Sequence, residues 1–167
     1  MSLARSLPIE VAPVTPEAPG PARFIHAGQI VVSDQPVTFT TILGSCVAVC
    51  LLDSRAGVGG INHFVLPESR SQHEEPGRFG NPSVSMLIEQ MLKAGASTRS
   101  MTAKVFGGSS LMAGVETARR IGEANIQAAL EELDRHRIGV VSKDTSGCRG
   151  RKLIFRVPDG WAAVRYL

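Results

Sequence analysis

The chemistry legible in this sequence sits in Gly44-Ser45-Cys46-Val47 and in a histidine seventeen positions after the cysteine, within Gly59-Gly60-Ile61-Asn62-His63-Phe64. A thiol beside a Gly-Ser turn, opening an apolar strand, with a histidine on the next strand, is the raw material of a cysteine hydrolase. The thiolate is the nucleophile, and a neighbouring imidazolium favours it. The imidazole then protonates the leaving group and later activates water. A third group usually fixes the tautomer and orientation of the ring. Thr38, Thr40, Thr41 and Asn62 lie nearby in sequence, and spacing alone does not choose among them.

The positioning of the pair depends on a hairpin. Apolar residues run over 47–52 and resume at Val58, and Asp53-Ser54-Arg55-Ala56 supplies turn chemistry between them. With Ser54 and Arg55 as the central residues of a tight turn, Cys46 stands directly opposite His63, with Cβ atoms roughly 5 Å apart. A loop two residues longer leaves the two diagonal on one face, and a one-residue change sends them to opposite faces. The competing reading is structural, because a buried free cysteine is a common small hydrophobe. Cys50 reads as core, and Cys148 as a thiol in a polar loop. His26, His73 and His136 have no evident partner for chemistry.

Strands are predicted over 24–32, 37–43, 46–52 and 58–66, with Asp34-Gln35-Pro36 as the first turn. Asn81-Pro82 reads as a helix N-cap with proline at the first helical position. Val84, Leu87, Ile88, Met91 and Leu92 then make an apolar stripe, and Gly95 ends it. A polar loop over 68–80 precedes this helix. A short strand over 103–106 runs into Gly107-Gly108, which lacks the further glycine and acidic residue of a dinucleotide fingerprint. A second helix is predicted over 121–136 with Ile126, Ala129, Leu130 and Leu133 buried. A strand starts at Val140, and 153–157 and 161–166 form a terminal hairpin around Pro158-Asp159-Gly160. This order predicts an α+β fold with mixed or antiparallel sheets flanked by helices.

The 167 residues suffice for one domain. Residues 1–23, rich in Pro and Ala, read as a disordered tail before a single domain over 24–167. The odd count of three cysteines argues against a disulfide framework. Cys46 and Cys50 would stand about 13 Å apart along a strand, too far to bridge. No C-x-x-C occurs, so a structural zinc site is not expected, and the thiols point to a reducing, cytoplasmic setting. No secretory signal is evident, and the longest apolar run, 47–52, is too short to enter and cross a membrane. Net charge is +3, with seven Lys/Arg over 135–156 against Asp144 alone. That stretch reads first as solvated surface and second, through Arg149 and Arg151, as a contact for an acidic partner. Aromatics are not interleaved with it, so nucleic acid is not the expected partner.

Thr40-Thr41-Ile42-Leu43-Gly44-Ser45-Cys46-Val47-Ala48-Val49 and Gly60-Ile61-Asn62-His63-Phe64-Val65-Leu66-Pro67 together resemble the chemoreceptor glutamine deamidase family known as CheD. The likeness continues in order through 86–95, Lys104-Val105-Phe106-Gly107-Gly108, Ile121-Gly122, Asn125 and Asp144-Thr145. The resemblance implies a cytoplasmic amidohydrolase that converts selected glutamines of methyl-accepting chemotaxis receptors to glutamate through a cysteine thioester, with glutamyl methyl ester hydrolysis as a secondary activity. By matching positions, Cys46 is the implied nucleophile, His63 the base and acid, and Thr40 the residue that orients His63. Backbone N–H groups near Ser45-Cys46, in the turn that Gly44 and Ser45 form, are the expected donors to the oxyanion. The resemblance implies no cofactor or metal, a CheC-type phosphatase as a binding partner, and a β-sandwich-like core wrapped by helices, related to bacterial toxin deamidases. A catalytically silent adaptor and a thiol hydrolase of small amides are the alternatives.

Overall fold

The computed structural model describes residues 20–69 and 71–167. In chain order the strands are β1 (Ala22–Phe24), β2 (Ile30–Ser33), β3 (Val37–Leu43), β4 (Val47–Asp53) and β5 (Val58–Asn62). Then come α1 (Gly80–Lys93), β6 (Thr102–Gly107), α2 (Glu116–Arg135), β7 (Gly139–Thr145), β8 (Arg151–Val157) and β9 (Ala162–Tyr166). One sheet has the order β1-β3-β8-β9 and the other β2-β5-β4-β6-β7. Both are mixed, with β1 parallel to β3 and β6 parallel to β7. The fold is therefore α+β with mixed sheets, as the element order predicted.

Strand β4 explains the layering. Val47, Val49 and Leu51 join a core with Val84, Leu87, Ile88 and Met91 of α1 and Ala129 and Leu133 of α2. Ala48 and Cys50 join a second core with Phe39, Leu43, Leu153 and Phe155 of the other sheet. Successive side chains of a strand point to opposite faces, so a strand covered on both sides reads as a continuous apolar run. The helices thus lie on one face of the five-stranded sheet, and the four-stranded sheet closes the other.

Several sequence expectations change here. The strand predicted over 24–32 is two strands in different sheets, broken around Gly28, whose φ of 87° favours glycine. Of the predicted tail, 1–19 lies outside the described residues, while Ala22 and Arg23 already belong to β1 and pair with Thr38 and Phe39. Helix α1 begins at Gly80, with Phe79 in the N-cap position and no side-chain cap, so Asn81 is not the cap. Pro82 then sits within the first turn, where backbone N–H groups lack helical partners anyway. Helix α2 starts at Glu116 rather than 121; 116–120 is largely polar and shows no apolar stripe, so hydrophobic periodicity does not reveal it.

The hairpin register also differs. Cys50 pairs with Ile61, Leu51 with Gly60, Leu52 with Gly59 and Asp53 with Val58, and an isolated bridge joins Val47 to Phe64. The loop is therefore two residues longer than a tight turn, and Cys46 and His63 are diagonal on the same face. Asp53 enforces this. Its Oδ1 accepts from the N–H groups of Arg55 (3.0 Å) and Ala56 (3.1 Å), and Gly57 supplies a φ of 69°. Its Oδ2 accepts from Ser97 N–H (2.8 Å) and the Ser100 hydroxyl (2.7 Å), tying the hairpin to the segment before β6.

Burial alone would raise the Asp53 pKa, but the Ser100 hydroxyl and the three backbone donors outweigh it and hold the carboxyl below the usual value of 3.8. A group with a depressed folded pKa stabilises the fold above its unfolded pKa, and that contribution is lost as pH falls through the folded value. Asp53→Asn is expected to destabilise the protein by about 2 kcal/mol in urea unfolding at neutral pH. The gap between variant and wild type should shrink below pH 3.8. A gap that persists undiminished in acid would contradict the charged role.

Candidate active site

Cys46 stands just before β4, where the chain leaves the Gly44-Ser45 turn, and is partly exposed. It packs at the end of the core between the two sheets. His63 follows the last residue of β5 and is 5% exposed. Both side chains face the four-stranded sheet, which contributes the third member. The Thr41 hydroxyl, fully buried, lies 2.8 Å from His63 Nδ1 and 2.6 Å from the Ile25 carbonyl.

Proton accounting fixes the tautomer. A threonine hydroxyl has one proton, and the Ile25 carbonyl can only accept. Thr41 therefore donates to Ile25 and accepts from His63 Nδ1–H. The proton of a neutral imidazole thus resides on Nδ1, and Nε2 carries the lone pair. Nε2 is buried and has no hydrogen-bond partner among the described residues. It is an unengaged base on the same face as the Cys46 thiol. Active-site hydrogen bonds are often long before substrate binds and tighten afterwards.

The electrostatics describe a neutral resting pair. Burial pushes the His63 pKa down. The Ile25 carbonyl opposes this, and the electrostatic influence of the neighbouring His26 and Arg78 side chains adds to it. Burial pushes the Cys46 thiol up, opposed by its own backbone N–H and by the Arg78 guanidinium. Both groups therefore favour their uncharged forms.

Thr40 is not the residue that meets His63. On β3 the odd positions Val37, Phe39 and Leu43 face the other sheet, and Thr41 shares their face. Thr40 points to the opposite side and pairs with Phe24 and Ile154. The one-residue difference is a change of face, so the orienting contact expected of Thr40 is made by Thr41. Strand alternation carried the signal that could have found it.

The Gly44–Cys46 turn is held from outside. Ser109 N–H donates to the Gly44 carbonyl (2.8 Å), Gly108 N–H to the Cys46 carbonyl (2.9 Å), and Asn125 Nδ2 to the Ser45 carbonyl (2.8 Å). Gly107, at φ 107°, lies so close to Cys46 that a Cβ there would meet the Cys46 carbonyl oxygen at 2.2 Å. Arg151 is buried, ion-paired with Asp144 (2.8 Å), and donates to the Ser109 hydroxyl. It supports this scaffold and is no surface contact, in contrast to the role expected for it; Arg149 is exposed. Of the remaining candidates, Cys50 is buried core, with its thiol pushed up by burial, and Cys148 is an exposed thiol in the turn after β7. Among the described residues, no group of three or more His, Cys, Asp or Glu side chains could hold a metal ion. No described helix is long and apolar enough to cross a membrane.

A family model described as "CheD chemotactic sensory transduction" matches residues 65–166. A relative from Anaeromyxobacter dehalogenans, named "Probable chemoreceptor glutamine deamidase CheD 1", is 48% identical over 96% of this chain and 95% of its own length. One from Sulfurimonas denitrificans, named "Probable chemoreceptor glutamine deamidase CheD", is 38% identical over 87% of this chain and 94% of its own. Among solved structures, Neisseria meningitidis protein NMB0706 aligns with a TM-score of 0.45 and 13% identity, over 77% of this chain and 64% of that one.

A neutral thiol has a measurable signature. Alkylation of Cys46 by iodoacetamide, followed by peptide mass mapping to separate it from Cys148, is expected to accelerate with pH about a midpoint above 9.0. A rate already at its plateau near neutral pH would show a preformed thiolate–imidazolium pair and contradict this picture.

Proposed function

The chain belongs to the CheD family, and from that premise we propose that it deamidates glutamine side chains of chemoreceptors, with Cys46 as nucleophile and His63 as general base and acid. The observation that carries the reading is the Thr41–His63 contact. It leaves an unengaged Nε2 on the face that the Cys46 thiol shares, at a partly exposed end of the sandwich. A structural histidine in a core would be expected to have both nitrogens satisfied.

His63 Nε2 takes the Cys46 proton as sulfur attacks the carboxamide carbon of the substrate glutamine. The resulting imidazolium keeps Nδ1–H on Thr41 and delivers the new proton to the departing ammonia. This leaves a γ-glutamyl thioester on Cys46. A water deprotonated by Nε2 then attacks the thioester carbon, releasing glutamate and restoring the thiol. A glutamyl methyl ester gives the same acyl-enzyme with methanol as leaving group, so ester hydrolysis follows from the same residues. The proposed mechanism needs no metal or organic cofactor, since the thiol and imidazole supply both the nucleophile and the proton transfers.

The test is intact-mass spectrometry of a glutamine-containing chemoreceptor cytoplasmic fragment incubated with the protein. The wild type is expected to add about 1 Da per modified site, the exchange of NH2 for OH, and Cys46→Ala to add none. Thr41→Val is expected to lower kcat by roughly tenfold or more, while Thr40→Val stays within about twofold of wild type. A fragment left unchanged by the wild type would overturn the deamidase reading. Equal effects at Thr40 and Thr41 would overturn the assignment of the orienting hydroxyl.

A further inference from the structure

We infer that Asn125 is a positioning residue for the reaction, aiming the Cys46 backbone N–H into the site as the oxyanion donor. The inference rests on the deamidase reading and adds to it a residue of α2 that touches none of the reacting groups.

Asn125 is fully buried, and its amide nitrogen has two protons. One goes to the Ser45 carbonyl and the other to the Val65 carbonyl, both at 2.8 Å. The first lies in the nucleophile turn, and the second is two residues beyond His63, so one side chain ties together the two segments that bear the pair. Its Oδ1 is buried without a hydrogen-bond partner. Turning the amide over would place that oxygen against two carbonyls, so the assignment of nitrogen and oxygen is unambiguous. A buried unsatisfied amide oxygen is destabilising. A residue kept only for packing would not need to carry it.

The geometry of the peptide bond does the rest. In a planar trans peptide, the C=O and the following N–H point in opposite directions. With the Ser45 carbonyl held toward α2, the Cys46 N–H must point away from α2. The helices lie on one face of the five-stranded sheet, and the Cys46 side chain lies on the other. The N–H therefore points to the thiol side, and it donates to no carbonyl among the described residues. An N–H fixed beside the nucleophile is where the oxygen of a tetrahedral intermediate needs a donor.

Close approach of the helix makes this reach possible. A Cβ on Gly122 would meet the Gly108 carbonyl oxygen at 2.4 Å, and one on Gly108 would meet the Ile126 side chain at 2.5 Å. Two glycines let α2 touch the chain segment that also holds the Cys46 carbonyl. From there Asn125, one turn after Gly122, spans to Ser45.

The experiment compares wild type with Asn125→Ala and the isosteric Asn125→Asp, each first shown to keep a cooperative thermal transition; if only one folds, that one decides. Deamidation kinetics on the receptor fragment are expected to show kcat lower by roughly tenfold to a thousandfold, with KM within about threefold. Iodoacetamide alkylation of Cys46, a displacement at saturated carbon that forms no oxyanion, is expected to stay within about threefold of wild type, a split that a general loss of structure would not give. Binding of a short peptide aldehyde, with CHO in place of the glutamine carboxamide, gives a second readout. Sulfur adds to the aldehyde carbon, the C=O π pair moves to oxygen, and the thiol proton is transferred to that oxygen or to His63. Its Kd is expected to rise at least tenfold in the variants. Unchanged kcat and aldehyde affinity would overturn the inference, as would a parallel fall in kcat and alkylation. If wild type failed to deamidate at all, the deamidase reading would fall, and the aldehyde affinities would still decide the role of Asn125.

Discussion

One threonine hydroxyl, placed between a carbonyl and an imidazole, sets the proton arrangement of this site. Thr41 has a single proton, and the Ile25 carbonyl takes it. The hydroxyl can then serve His63 only as an acceptor, which puts the ring proton on Nδ1 and the lone pair on Nε2. A carboxylate in this place would also orient the ring, but it would stabilise the imidazolium and draw the resting pair toward its charged form. A neutral hydroxyl orients without doing so. This agrees with the directions in which burial pushes the two groups, the thiol up and the imidazole down.

Closing the two sheets on each other is what brings the parts together. Cys46 and His63 come from the five-stranded sheet, and Thr41 and Ile25 from the four-stranded sheet side, so the site forms only when the inter-sheet core of Phe39, Leu43, Ile61, Leu153 and Phe155 is packed. Helix α2 and the segment after β6 hold the opposite side of the same turn. Gly108, Ser109 and Asn125 each take one carbonyl of 44–46, and the buried Arg151, ion-paired with the half-buried Asp144, braces Ser109 from behind. Three consecutive carbonyls thereby each have a donor from outside the turn. This is a demanding use of backbone, and it accounts for the small residues at Gly44, Gly107, Gly108 and Gly122, where added side chains would collide with their neighbours.

The sequence made the pair legible because its signals were local. Turn chemistry at 53–56 and apolar runs on both sides placed Cys46 and His63 on one face for either a two- or a four-residue loop. The register itself was not legible, since it depends on Asp53 reaching Ser97 and Ser100, more than forty residues away. Thr41 could have been chosen over Thr40 from the alternation of Val37, Phe39 and Leu43, which a match by position overrode. Asn125 and Glu132, buried polar residues on α2, broke the apolar stripe, and although Asn125 belongs to the family likeness, neither showed its partners through periodicity. Their partners lie on other elements, and only the assembled layers show why those positions are polar. The division of 24–32 between two sheets was likewise invisible, because a short strand is the same run of residues whichever sheet receives it.

The His63 tautomer can be read without substrate. In protein labelled with 15N histidine, the His63 ring nitrogens, assigned by comparison with His63→Gln, report their protonation through chemical shift and one-bond coupling. A proton on Nδ1 and an unprotonated Nε2 are expected at neutral pH, with the ring remaining neutral below the ordinary histidine value of 6.5. A proton found on Nε2, or an imidazolium at neutral pH, would contradict this.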